Sequence, residues 1–176
     1  MMLRIFLVLL VCLVATVVES VFPFLFGLSR ARADLLLSVV LYLALNDEVV
    51  TGAGLSALAG YLGELGSATP VGLYTFLAVL TWAVVRVTAR GLRSEGGPLS
   101  ALIAFGTCLV HSLLAAGLFY FVAPPPTEFA WTLGGALPSA LMTAAFAPLV
   151  FGVLRRIDAL FIPTGSHSDP LPKGMR

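Results

Sequence analysis

Long apolar runs are the feature that most constrains how this chain can fold. Residues 3–22 and 99–123 each carry enough apolar side chains to cross a bilayer, which takes about 20 residues in a helix. Residues 71–89 and 129–154 form two further runs of this kind. Overall, 59% of the 176 residues are hydrophobic and 11% are charged, whereas a soluble domain has about 25% charged residues. We therefore predict an integral membrane protein and not a soluble globular enzyme.

Two weaker runs lie between these spans. One is short, and the other is rich in small residues. Backbone in lipid has to satisfy its own hydrogen bonds, and no segment alternates with the period of two that a strand requires. The predicted fold is thus all-α, a bundle of six transmembrane helices in one domain (1–162), followed by a flexible cytoplasmic tail (163–176). The predicted helices are residues 3–22, 34–46, 49–66, 71–89, 99–123 and 129–154.

The first run also has some features of a signal peptide. Arg4 precedes an apolar stretch, and Ala31-Arg32-Ala33 resembles a cleavage site. However, the apolar run continues through residues 21–28, and two arginines crowd the site. These features favour an uncleaved first helix.

Orientation follows from the excess of basic residues that cytoplasmic loops carry. A five-crossing arrangement has to bury Asn46, Asp47 and Glu48 in one merged helix, and each acidic residue at a helix centre costs about 2.5–3.5 kcal/mol. We therefore expect six crossings, with both ends of the chain in the cytoplasm and Asp47-Glu48 in a solvated turn. All 10 basic residues except Arg30 and Arg32 then lie on the cytoplasmic side.

Two carboxylates fall within the apolar runs. Glu64 ends a face of small residues at spacings of four, three and four, made by Ala53, Ala57 and Gly60. Small residues at this spacing let another helix approach closely. For Glu64 we expect a structural ion pair, with an ion or proton site as the alternative. Glu19 is expected at headgroup level, paired with Arg30 or Arg32.

His111 is the one histidine within a predicted helix. It shares a helix face with Cys108 and Thr107, and too few ligands accompany it for a metal site. We expect a neutral histidine that hydrogen-bonds across helices. The chain has no Gly-x-Ser-x-Gly, His-Glu-x-x-His or phosphate-loop motif, so we predict no catalytic, cofactor-binding or metal residues and no enzymatic activity.

Three arginines form one helix face at the predicted cytoplasmic surface: Arg86, Arg90 and Arg93. Their spacing of four and three suits contact with anionic lipid, and docking of a cytoplasmic protein is the alternative. The net charge of +1 indicates no nucleic-acid partner.

Residues 32–74 resemble the bacterial rod-shape-determining MreD family. The segment Arg32-Ala33-Asp34 before a leucine-rich run is similar to the family's Arg-Pro-Asp pattern, with Ala33 in place of proline. Gly60-Tyr61-Leu62-Gly63-Glu64 resembles a glycine-rich helix that ends in an acidic residue, usually aspartate. Ser67-Ala68-Thr69-Pro70 then resembles a Ser-Gly-Ser-Pro turn, with Ala68 in place of glycine.

The resemblance implies a fold and a function. MreD-like proteins have six membrane helices, similar to the substrate-binding subunits of energy-coupling-factor transporters, and are not known as enzymes. They bind the single-span protein MreC and act with actin-like MreB, a glycan polymerase and a class B penicillin-binding transpeptidase in lateral peptidoglycan synthesis. An inner-membrane protein of the cell-elongation complex is thus expected. The candidate partner-interface residues are Arg30, Arg32, Asp34, Ala53, Ala57, Gly60, Glu64 and Pro70.

Two other functions stay open. A substrate-capture subunit of a vitamin or metal-ion transporter needs a cavity between helices with convergent polar groups. The sequence offers Glu19, Glu64, His111 and the tyrosines for such a cavity. A small membrane enzyme is disfavoured because clustered catalytic side chains are missing from the sequence.

Overall fold

Every regular element in the described part of the chain is an α-helix. The computed structural model describes residues 2–26, 33–65, 72–88, 97–122 and 127–161. The helices in chain order are α1 (Met2–Phe26), α2 (Leu35–Asn46), α3 (Val49–Leu65), α4 (Leu73–Thr88), α5 (Gly97–Val122) and α6 (Thr127–Phe161). The all-helical prediction is confirmed for these residues, and the helices follow the predicted order.

The first and last helices run further than predicted. Helix α1 continues through position 23 to Phe26, and α6 continues to Phe161 with Pro138 and Pro148 inside it. Proline is tolerated in membrane helices because neighbouring groups and local adjustments satisfy the freed backbone carbonyl. Beyond residue 154, Arg155 and Arg156 are good helix formers and their side chains are exposed. Neither proline nor charge therefore ends these helices.

Three helices are long and apolar enough to cross a membrane by length and composition. These segments are Met2–Val21, Pro98–Leu118 and Gly135–Phe161, and they are candidate membrane spans. The other three helices are apolar but shorter. Residues 71–89 were predicted as a full span, yet α4 has 16 residues and a length of about 24 Å, against a hydrocarbon core of about 30 Å. Six crossings therefore stay a prediction.

The shortest helix, α2, lies at the centre of the bundle. It packs against each of the other five helices, and residues 36–44 are buried without interruption. A helix that is apolar on all sides is expected to be enclosed by other helices. Because its middle is enclosed by the other five helices, α2 can be shorter than its neighbours. This explains why a run of only 12 residues forms a stable helix here.

Contacts between helix ends establish the direction of the helices. Arg4 near the start of α1 pairs with Asp47 after α2 and with Asp158 near the end of α6. Arg86 near the end of α4 donates to the carbonyl oxygen of Ala44 at 2.8 Å. The start of α1 and the ends of α2, α4 and α6 thus share one end of the bundle, which we call the arginine end. The break between α2 and α3 at Asp47-Glu48 is also observed, as the six-helix prediction requires.

Candidate functional site

A polar network surrounds the first turn of α2, inside the bundle. Asp34 precedes this helix, and its Oδ1 accepts a hydrogen bond from the backbone N–H of Leu37 at 2.7 Å. Glu19 of α1 accepts from the N–H of Leu36 at 2.8 Å. The first turn of a helix has unpaired N–H donors, and aspartate is a preferred residue for satisfying them. Two carboxylates from different elements therefore hold the partly buried start of α2.

The same network extends to α4, α5 and α6. His111 Nδ1 lies 3.0 Å from the hydroxyl of Thr81, and His111 Nε2 lies 4.0 Å from Asp34 Oδ2. The Thr143 hydroxyl accepts from the N–H of Asp34 at 2.9 Å and lies 3.8 Å from the Cys108 thiol. The predicted cross-helix hydrogen bond of His111 is confirmed. Among the described residues, no group of three or more His, Cys, Asp and Glu side chains could hold a metal ion.

A cavity of about 150 Å³ lies beside this network, and we call it the central cavity. Carboxylates, hydroxyls and an imidazole line one part of it, and aliphatic side chains line the rest. Glu19, His111 and one of the tyrosines expected for a ligand cavity, Tyr74, line it, whereas Glu64 is not among the described lining residues. The polar lining is Thr16, Glu19, Ser20, Asp34, Tyr74 and His111, and the remainder is Ala33, Leu36, Leu37, Val40, Ala59, Gly60, Gly63 and Ala78.

A second polar group, which we call the arginine-end cluster, consists of Arg4, Tyr42, Asp47 and Asp158. Arg4 pairs with both aspartates, and the Tyr42 hydroxyl donates to Asp158 at 2.6 Å. Asp47 is 4% exposed, so its expected place in a solvated turn is wrong, although the adjacent Glu48 is exposed. The reason is Arg4, which supplies a cation where α1 passes the α2–α3 turn. The partners are 43 and 154 positions from Arg4, beyond the reach of local pattern reasoning.

Glu64 has a specific structural contact. It is 9% exposed, and its Oε1 accepts from the backbone N–H of Thr75 in the first turn of α4 at 2.9 Å. A carboxylate at a helix N-terminus satisfies an orphan donor and complements the helix dipole. Glu64 thus ties the end of α3 to the start of α4. The structural ion pair expected for Glu64 is not tested by this contact.

Part of the predicted small-residue face of α3 packs against another helix of the same chain. A side-chain carbon at Gly60 would lie 2.8 Å from Ala78 Cβ, Thr75 Cα and the Tyr74 carbonyl oxygen, so α4 approaches here backbone to backbone. Ala53 and Ala57 are half-buried. Gly60 is therefore covered by α4, whereas Ala57 borders the outward face of α3.

That outward face is apolar and exposed. Val50, Gly54 and Tyr61 lie on it, at spacings of four and seven residues, and Leu58 and Leu65 flank them. A side-chain carbon at Gly54 would meet no atom within 4 Å. We call this surface the α3 outer face.

The remaining predicted interface residues divide between two groups. Asp34 lies inside the bundle as the cap of α2 and lines the central cavity. Arg30, Arg32 and Pro70 lie outside the described residues, as do Arg90 and Arg93 of the predicted cytoplasmic face. Of that face, Arg86 is half-buried and bonded to α2.

The comparisons with known proteins agree with the sequence resemblance. A family model described as rod shape-determining protein MreD matches residues 1–157. This span extends from the first residue to near the end of α6 and includes Arg4, Asp47 and the residues that line the central cavity, whereas Asp158 lies just beyond it. The comparison with curated proteins and the comparison with solved structures gave no match.

Proposed function

The chain belongs to the MreD family of rod shape-determining proteins, and from this membership we propose a non-enzymatic component of the bacterial cell-elongation complex. In this proposal the protein resides in the inner membrane, binds an MreC-like single-span protein and helps position or activate lateral peptidoglycan synthesis. MreB, a glycan polymerase and a class B penicillin-binding transpeptidase act in the same complex. The observation that carries the proposal is the family match over residues 1–157.

Depletion of the protein in its host tests this function. Rod-shaped cells should become round within a few generations, because lateral wall synthesis loses its membrane component. Re-expression of the protein should restore rods. Cells that keep their shape but lose uptake of a vitamin or metal ion would instead support a substrate-capture subunit of a transporter. That second function is favoured by the central cavity, which places Glu19 and His111 between helices.

The distribution of charge supports a cytoplasmic arginine end. Arg4 and Arg86 contact groups at this end, and Arg155 and Arg156 lie in the same turn of α6 as Asp158. Cytoplasmic loops carry an excess of basic residues. We therefore place both the start of α1 and the end of α6 in the cytoplasm, as the six-crossing arrangement requires.

The α3 outer face is the surface that we assign to the single-span partner. Val50 is 85% exposed and Tyr61 is 50% exposed, and Gly54 between them leaves the helix backbone uncovered. Helix association in lipid depends on close packing, for which small residues are favourable. Ala57, one of the residues predicted from sequence, borders this face. The partner helix would pack across Gly54, with Val50 and Tyr61 on either side.

Substitution Gly54→Leu tests this surface against a matched control. Leucine is a better helix former than glycine, and its Cβ would meet no atom within 4 Å at this exposed position, so insertion and folding should be unchanged. Co-purification with the MreC-like protein should fall at least about tenfold if packing is lost. The control is Gly106→Leu on α5, where the glycine is also exposed and an added Cβ would also meet no atom within 4 Å. Equal recovery of the partner by both variants would sink the assignment of this face.

A further inference from the structure

Two buried polar side chains near the arginine end have hydrogen-bonding atoms to spare. Asp47 binds Arg4 through Oδ1 and its side chain is 2% exposed, and Trp82 of α4 is 6% exposed. Within the part of the chain that the structure describes, neither Asp47 Oδ2 nor the indole nitrogen of Trp82 has a hydrogen-bond partner, although both atoms are buried. Such atoms are uncommon in folded proteins, because their desolvation is then uncompensated. A partner for both is therefore expected in this region of the bundle.

Gly52 of α3 is the position at which these groups converge. A side-chain carbon there would lie 3.0 Å from the indole nitrogen of Trp82, 3.3 Å from Asp47 Cβ and 3.3 Å from the carbonyl oxygen of Leu43. Gly52 is itself buried, and it has no side chain to separate α3 from these neighbours. The end of α2, the turn that follows it and α4 therefore present three polar groups to the same stretch of α3 backbone.

The three groups differ in their hydrogen-bonding capacity. The indole N–H of Trp82 is only a donor, whereas a carboxylate oxygen such as Asp47 Oδ2 is only an acceptor. The carbonyl oxygen of Leu43 accepts from the N–H of Asp47 at 3.0 Å and has a second lone pair. One donor and two acceptors suit a ligand that accepts one hydrogen bond and donates two. An anion cannot donate to the two acceptors, and a metal ion cannot accept from the indole.

Water is the smallest molecule with this capacity. Buried waters in proteins typically make about three hydrogen bonds to polar groups that lack another partner. Asn46 and Glu48, on either side of Asp47, are exposed, so Asp47 lies just beneath the surface of the arginine end. Water can therefore reach this position from the solvent at that end without crossing the apolar middle of the bundle.

From these contacts we propose that a single water molecule binds beside Gly52 and links Asp47 to Trp82. The water accepts a hydrogen bond from the indole N–H and donates to Asp47 Oδ2 and to the carbonyl oxygen of Leu43. It thereby extends the arginine-end cluster to α4. Gly52 is buried, whereas the α3 outer face is exposed, so this site can fail without affecting the proposed partner surface.

Nuclear magnetic resonance of the full-length protein in detergent tests the site directly. With tryptophan isotopically labelled at the indole nitrogen, the signal of Trp82 is the one that Trp82→Phe removes. We expect a rotating-frame Overhauser cross-peak between this indole proton and water, with the sign of dipolar contact and not of proton exchange. Absence of the cross-peak would overturn the proposal, whether the indole proton is then bonded directly to Asp47 or is unbonded.

Gly52→Ala and Gly54→Ala form a matched pair on α3 that locates the water. The carbon added at Gly52 would lie 3.0 Å from the indole nitrogen, on the side where the water binds, whereas the one added at Gly54 would meet no atom within 4 Å. The cross-peak should be lost in Gly52→Ala and retained in Gly54→Ala. An unchanged cross-peak in Gly52→Ala would contradict the assigned position. The wild-type spectrum tests the proposal even if Gly52→Ala does not fold.

Gly52→Ser distinguishes loss of the water from simple overpacking. Serine is larger than alanine and is the poorer helix former, so overpacking alone predicts that Gly52→Ser unfolds no later than Gly52→Ala on heating. A serine hydroxyl can accept from the indole N–H and donate to Asp47 Oδ2, and so replaces two hydrogen bonds of the water. We therefore expect Gly52→Ser to have a higher unfolding temperature in detergent than Gly52→Ala, with the wild type above both. An unfolding temperature of Gly52→Ser equal to or below that of Gly52→Ala would contradict the proposal.

Discussion

The two ends of α2 both carry charge inside an apolar bundle, but they are built differently. At the arginine end, Arg4 contacts Asp47 and Asp158 directly, so opposite charges meet without an intervening space. At the other end, Glu19 and Asp34 bind backbone N–H groups of α2 and face a cavity of about 150 Å³. The same short helix thus joins a charge cluster at one end to a capped helix start beside a cavity at the other.

The difference indicates how strongly the stability of the bundle depends on charge at each end. A buried charge whose partner is removed is strongly destabilising, because its desolvation is no longer compensated. The arginine-end cluster is therefore expected to be sensitive to loss of a single charge. At the cavity end, the helix cap needs a hydrogen-bond acceptor more than it needs a charge.

The largest effect is expected for Arg4→Met. This change leaves the Asp47 carboxylate buried, with 2% side-chain exposure, and without its cation. A fully buried pair that loses one partner costs about 3–5 kcal/mol, and we expect about 2–3 kcal/mol because a quarter of the Arg4 side chain is exposed. The free energy of unfolding in detergent measures this loss. Arg156→Met, at an exposed position, is the control, and an equal loss in both variants would refute the role of the cluster.

A middle-sized effect is expected for Gly60→Ala. The added carbon would lie 2.8 Å from two carbons and one oxygen of α4, so the two helices have to separate. Overpacking of this kind costs about 1–3 kcal/mol. Gly54→Ala should instead be neutral or stabilising, since it adds helix propensity in open space. The same unfolding measurement compares them, and equal stability of the two variants would contradict close α3–α4 packing.

The smallest effect is expected at the cavity end. There, two substitutions of Asp34 distinguish the contribution of its charge to stability from that of its hydrogen bond to α2. Asp34→Ala should destabilise the protein by about 1 kcal/mol, because the N–H of Leu37 loses its acceptor. Asp34→Asn should retain most of that stability while it removes the charge. If Asn and Ala are equally destabilising, the charge of Asp34 stabilises the fold and the two ends of α2 are more alike than their geometry indicates.

The helices themselves were largely predictable from the sequence. Apolar runs separated by polar breaks predict their number and order, because lipid forces the backbone into helices. Their roles were less predictable. The sequence shows that the run at residues 34–46 is short. It does not show that the other five helices enclose α2, because that depends on how all of them pack.

The polar sites were predictable only in part. His111 was expected to bond across helices because a polar group inside a bundle requires a partner, and Thr81 is that partner. Asp34 stood out as part of a family-like motif, yet its capping of α2 depends on where the helix begins. The pairing of Arg4 with Asp158 joins positions 154 residues apart, which no local spacing encodes.

Cell shape after depletion and rescue is the measurement that tests the proposed role most directly. Host cells depleted of the native protein would express the wild type, Gly54→Leu or Gly106→Leu at equal membrane levels. We predict that the wild type and Gly106→Leu restore rods, whereas Gly54→Leu leaves cells rounded because the partner no longer packs on α3. Full restoration of rods by Gly54→Leu would contradict the partner surface, and depleted cells that stay rod-shaped would contradict the role in cell elongation.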